Sequence, residues 1–167
     1  ENERFGHTMQ GEVQILYKII IENNQNLKEF DFEKYKCLPK ILSNNNISSY
    51  AYHGFSSNFF DRKIWWKNIG FNERFFFTDL KDLKRKCGIF LVGKCDDDMI
   101  KKVFEVSNKN NGMYYLLSLN THYPYEVKSL DKELDKICKE NKIEKSVCSI
   151  FQIYKQNLKL IINQTIK

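Results

Sequence analysis

MYYLLSLN, residues 113–120, is the stretch on which the fold turns. It is an almost unbroken apolar run of strand length, introduced by Gly112. A strand with that composition is expected to be covered on both faces, as strands of parallel sheets are. SSYAYH, residues 48–53, reads as a second short strand, and ERFFFT, residues 73–78, as a third. Helical patterns lie between and around them. Residues 9–23 place Val13, Leu16, Tyr17 and Ile20 on one face, with Thr8 where a hydroxyl caps a helix. Residues 34–45 place Tyr35, Leu38, Ile41 and Leu42 inward, although Pro39 falls inside the pattern.

Asp61 is placed to cap a helix over 62–69, and Gly70 to end it. Asp96, Asp97 and Asp98 open another helix, where acids offset the positive end of the helix dipole. Ile100, Val103 and Phe104 form its apolar face. Two more helices cover 130–140 and 144–163, the latter with Val147, Ile150, Phe151, Tyr154, Leu158 and Ile161 along one side. Residues 79–95 read as a basic loop. Helices alternating with short strands predict an α/β fold, a mostly parallel sheet flanked by helices.

Composition agrees. With 42% hydrophobic and 29% charged residues, the 167-residue chain is globular, long enough for one domain with its own core. Only 7 Gly and 2 Pro argue against a turn-rich all-β fold. The net charge of +6 is spread along the chain, and no nucleic-acid-binding motif accompanies it, so nucleic acid is not an expected partner. No run approaches the roughly 18 apolar residues of a membrane span. The first residues, ENERFGHT, lack Met and run straight into motif-like sequence, which suggests an excised piece. Five cysteines include Cys87 with Cys95 and Cys138 with Cys148 at short separations. By spacing alone these are either two disulfide-closed loops or buried thiols.

In parallel sheets ligands gather beyond the carboxyl ends of strands. His53 ends the first strand and His122, in NTHYPYEV, follows the apolar one, so parallel strands would set both histidines on one sheet edge. Arg62 matches phosphate or sulfate oxygens in a fork geometry. Thr8, at a helix N-terminus, adds a hydroxyl where the dipole favours an anion. Together these residues describe an oxyanion site with a hydroxyl placed to attack. A threonine hydroxyl needs a base or a metal to do so.

At these residues the sequence resembles a known family. GHTMQGE (6–12), LPKIL (38–42), SSYAYHGFSSNFFDR (48–62), WWKNIGF (65–71) and LSLNTHYPYEV (117–127) follow in the order of sulfatase-like transferases of the alkaline phosphatase superfamily. These include lipoteichoic acid synthases and phosphoglycerol or phosphoethanolamine transferases. KCGIFLVGKCDDDMI (86–100) and CKENKIEKSVCSIF (138–151) resemble their cysteine-bearing segments.

The resemblance implies roles for individual residues. Thr8 matches the nucleophile, which also ligates the metal; His53 and Arg62 match head-group ligands; His122 matches the active-site histidine. Phe60 stands where the synthases often carry Trp, and Phe55 replaces an acid. The resemblance implies the disulfides Cys87–Cys95 and Cys138–Cys148 and a divalent metal, zinc or manganese. It implies a lipid-linked or glycan phosphoryl donor and acceptor, and a catalytic domain tethered to the membrane by helices of the parent. The implied location is the extracytoplasmic face of the inner membrane or the periplasm.

The family's acidic metal ligand precedes the nucleophile, and its Asp-His pair and a further His come near the C-terminus. None has a counterpart here, so residues 1–167 are expected to be one fragment of a larger domain, inactive alone and open to self-association through exposed sheet edges. Two alternatives stay beside the transferase: a sulfatase-like hydrolase or phosphodiesterase, and a non-catalytic envelope-binding domain. Thr8 counts against a sulfatase, which usually carries Cys or Ser there.

Overall fold

The computed structural model describes residues 7–17, 36–124, 127 and 129–166, with side chains from residue 11 onward. Its elements, in order, are α1 (His7–Tyr17), α2 (Leu38–Asn44), β1 (Ser49–His53), α3 (Arg62–Asn68), β2 (Glu73–Phe75), β3 (Lys86–Cys87), β4 (Gly93–Lys94), α4 (Asp96–Ser107), β5 (Met113–Leu117), α5 (Lys132–Glu140) and α6 (Lys145–Thr165). A 3-10 turn at Phe59–Asp61 leads into α3. The fold is α/β, with β2, β1 and β5 forming a parallel sheet in that order. No described helix is long and apolar enough to cross a membrane.

The chain divides into two compact units. The first takes the described residues up to Ala51, then Ser57–Arg74 and Asn111–Tyr115; the second takes Tyr52–Ser56, Phe75–Asn110 and Leu116 onward.

In the first unit Val13, Leu16 and Tyr17 of α1 are buried, as the helical spacing predicts, while Ile20 lies outside the described residues. Trp65, Trp66, Ile69 and Phe71 complete the core. The predicted inward face of the second helix is not the one observed. Leu38 and Ile41 are exposed and Pro39 is buried, while Tyr35 lies outside the described residues. The cause is the start of α2, four residues later than the pattern suggests. Pro39 then stands in the first turn, where a missing N–H costs nothing. Asp61 occupies the N-cap position of α3 in left-handed backbone (φ 51°) without bonding to the helix. The Lys63 amide in the first turn donates to the Ser57 carbonyl at 2.9 Å instead. Gly70 ends the segment as predicted, at φ 100°, with Lys40 backbone 3.0 Å from where a Cβ would sit.

Strand β2 is shorter than the run ERFFFT suggests. The Phe76 amide leaves the ladder to donate to Asp79 Oδ2 at 2.9 Å, closing a turn. Burial along the sheet also differs from expectation. The buried strand is β1, where Ser49, Ala51, Tyr52 and His53 are all inaccessible. The apolar strand β5 ends at Leu117 and is half-buried throughout, because among the described strands it has a neighbour on one side only.

In the second unit the loop predicted over 79–95 contains an antiparallel hairpin, pairing Lys86 with Lys94 and Cys87 with Gly93. The Cys87–Cys95 disulfide closes it, and a second disulfide joins Cys138 of α5 to Cys148 of α6. Helix α6 does not bury its apolar side. It buries Cys148, Ser149, Gln152 and Ile153 and exposes Val147, Phe151, Tyr154, Leu158 and Ile161. The disulfide, and Gln152 Oε1 accepting from the Asp131 amide at 3.1 Å, fix the polar side inward.

Candidate functional site

Thr8 is the second residue of α1, inside the first turn rather than before it. Its side chain lies outside the described residues. One turn further along, Glu12 is 2% exposed. Arg62, at the start of α3, is 1% exposed and directs its guanidinium at that carboxylate. Nε donates to both carboxylate oxygens at 3.1 and 3.3 Å, and Nη2 makes a very short bond to Oε1. Trp66 Nε1 donates to Oε2 at 3.2 Å, and Arg62 Nη1 to the Phe59 carbonyl at 3.1 Å. The Phe60 ring lies 5.1 Å from the guanidinium carbon. Burial pushes the Glu12 carboxyl above its ordinary value, against the pull of Arg62 and Trp66. The fork that the sequence assigns to a phosphate is therefore occupied by Glu12.

The consecutive left-handed residues Phe60 and Asp61 (φ 55° and 51°) precede this arginine. Such backbone costs on the order of 1–2 kcal/mol per residue, and the Glu12–Arg62 bonds lie directly after it.

His53 and His122 belong to the second unit. His53 closes β1, is buried, and its Nδ1 lies 3.3 Å from the Leu117 carbonyl at the end of β5. A carbonyl partner requires the proton on Nδ1. The ring thus bonds to the strand that leads to His122. His122 is exposed, with Nδ1 2.7 Å from the Tyr123 carbonyl, and its amide donates to Leu119 O at 3.0 Å. The two histidines follow neighbouring parallel strands at their carboxyl ends, as the sequence suggested.

Two polar groups in this unit escaped the sequence reading. Lys94 is buried; its Nζ donates to the Leu83 carbonyl and sits 4.5 Å from the Phe77 ring centre. Asp96 is 3% exposed and accepts from the amides of Leu119 and Asn120 at 2.8 and 2.9 Å. Burial pushes its carboxyl up to about 6, against those two bonds. The triple-aspartate run hid this. Asp97 and Asp98 bond Arg85, so only the first of three identical letters is a buried acceptor.

Among the described residues, one group of possible metal donors clusters: Cys95, Asp97 and Asp98, with donor atoms within 4.8 Å of one another. The Cys95 sulfur is bonded to Cys87 and both carboxylates are bonded to Arg85.

No protein-family model and no curated protein matches the sequence. Solved structures do. The lipoteichoic acid synthase LtaP from Listeria monocytogenes is similar over 96% of this chain and 41% of its own, with a TM-score of 0.67 and 16% identity. A protein of the alkaline phosphatase superfamily from Vibrio parahaemolyticus is similar over 95% of this chain and 38% of its own, with a TM-score of 0.64 and 15% identity. The chain thus spans about two fifths of the length of each. At 15–16% identity these likenesses show a shared fold: the α/β arrangement of this chain is similar to part of each of those two proteins.

Proposed function

We propose that this chain carries the nucleophile and part of the substrate wall of a cell-envelope transferase for phosphoryl head groups, phosphoglycerol or phosphoethanolamine. One observation supports this reading above others. Thr8 stands in the first turn of an eleven-residue helix, and both histidines leave the carboxyl ends of neighbouring parallel strands. The former favours an anion, and the latter is where open parallel sheets take ligands.

In this reading the Thr8 oxygen attacks the donor's phosphodiester. A Thr8 O–P bond forms, the ester bond to the donor alcohol breaks, and that alcohol departs with a proton. An acceptor hydroxyl then attacks phosphorus, releases Thr8 and gives up its proton. By the sequence resemblance His122 is the active-site histidine and His53 a head-group ligand, both within the second unit. Arg62 reaches a phosphate only by exchanging Glu12 for it. The superfamily is generally metal-dependent, and zinc or manganese would lower the pKa of the hydroxyl. The described residues do not fit such an ion, since the Cys95, Asp97 and Asp98 donors are already bonded. Two disulfides support an oxidising, extracytoplasmic location. The donor and the acceptor are lipid-linked or glycan, and helices of the parent tether the domain to the membrane.

The test is head-group release from a fluorescent phosphoglycerol or phosphoethanolamine lipid by the full-length protein. Thr8→Ala should abolish release, and a phosphorylated Thr8 peptide should be trapped from wild type by mass spectrometry. Undiminished release by Thr8→Ala would overturn the reading.

A further inference from the structure

The segment Gly93–Asp96 touches both histidine-bearing stretches of the second unit. On one side, the Lys94 amide donates to the carbonyl of Gly54, the residue after His53, at 2.8 Å. Gly93 has no room for a side chain. A Cβ there would stand 2.3 Å from the Gly54 carbonyl oxygen and 2.4 Å from Leu119 Cδ2. On the other side, Asp96 holds two consecutive amides, Leu119 and Asn120, with its two carboxylate oxygens. Asn120 Oδ1 accepts the Asp96 amide in return, at 2.6 Å. The next turn of chain begins from this grip: the His122 amide donates to Leu119 O, and Ser118 and Thr121 hydroxyls meet at 2.8 Å. Between the two contacts, Cys95 is bonded covalently to Cys87.

We infer that Asp96 is a positioning residue: through the Leu119 and Asn120 amides it fixes the loop that carries His122, while the same segment holds Gly54 beside His53. Asp96 touches no reacting atom. It acts through backbone, and a carboxylate suits that role because it alone among short side chains presents an acceptor to each of two adjacent amides. Asparagine offers one acceptor and turns an amide NH2 at the other N–H. An ordinary helix-start acid would sit in water, as Asp97 does beside the exposed Arg85. The functional weight of this inference rests on the reading of His122 given above, whereas its structural part does not.

The experiment separates the two. Amide hydrogen exchange is followed by mass spectrometry on the full-length protein, comparing wild type with Asp96→Asn and with Gly93→Ala, which attacks the same brace from its other end. Peptides covering Leu119–Asn120 should exchange about tenfold faster or more in Asp96→Asn, the loss expected for a charged hydrogen bond, while α6 peptides stay as in wild type. Head-group release is measured on the same samples, with His122→Ala alongside. A fall of about tenfold or more in kcat/KM for Asp96→Asn, in step with the faster exchange, supports the positioning role. Unchanged exchange at Leu119–Asn120 overturns the inference whatever the turnover. Faster exchange with unchanged turnover also overturns it, provided His122→Ala impairs release. If His122→Ala leaves release intact, it is the role of His122 that falls, and the exchange result alone decides the clamp.

Discussion

Two carboxylates, Glu12 and Asp96, are almost equally hidden from solvent, at 2% and 3% exposure, yet they are satisfied by opposite means. Glu12 faces a cation: Arg62 binds both of its oxygens and the Trp66 indole adds a third donor. Asp96 faces backbone, two amides from one loop, with no cation bonded to it among the described residues. Burial pushes both carboxyls up, but only at Glu12 does a full opposite charge pull back. A charge matched by a charge is a stability device whose loss strands a buried ion. A charge matched by amides constrains the chain that owns those amides. The first belongs to the scaffold that aims α3, the second to the loop that carries a candidate site residue.

The sharpest way to break the comparison is to remove a partner. Arg62→Ala leaves Glu12 buried without its cation, and should cost about 3–5 kcal/mol of stability. The measurement is the denaturant midpoint in the full-length protein. Restoring balance with Glu12→Ala in the same chain should recover part of that loss in a double-mutant cycle. Were Arg62 mainly a phosphate ligand, Arg62→Ala would leave the midpoint near wild type and lower substrate affinity instead. The two outcomes separate the observed role from the one the motif suggests.

Asp96 should show itself through pH. Its carboxyl is raised from 3.8 to about 6 by burial, so between those values the folded state holds more protons than the unfolded one. The associated stability is fully present below about pH 4 and is lost as pH rises through 6. Asp96→Asn carries no such proton. Relative to the variant, wild type should therefore lose roughly 2–3 kcal/mol across that window. Thermal midpoints of both proteins from pH 4 to 7 give the difference directly. Parallel curves would mean that Asp96 does not titrate in this range.

How far the sequence could reach follows from the same contrast. The alternation of helix and strand, both histidines at strand ends and both cysteine pairs are legible because each rests on local pattern or on an ordered set of motifs. The pairing of Glu12 with Arg62 joins positions fifty residues apart, and no local pattern marks Glu12. Asp96 is masked by its neighbours, since a helix start accounts for all three acids at once. Burial misleads in a third way. Periodicity finds the apolar stripe of α6 correctly, but cannot say that a disulfide and Gln152 turn its polar side inward. Apolar composition likewise predicts that β5 is covered on both faces, while it is half-buried and the middle place belongs to β1.

The smallest expected effect is at Arg85, which draws the boundary of the comparison. It bonds Asp97 and Asp98 immediately beside Asp96, yet its own side chain is 56% exposed. Both carboxylates hold its guanidinium above its ordinary value, through hydrogen bonds first and charge second. Water and salt screen such a pair, so Arg85→Ala should cost at most about 1 kcal/mol, and less in high salt. Denaturation at low and high ionic strength measures it. A large, salt-independent loss would mean that Arg85 supports the Asp96 clamp through the first turn of α4. A small, salt-sensitive one leaves the clamp resting on Asp96 and its two amides. Neighbouring acids in one helical turn would then differ in consequence because only one of them is buried.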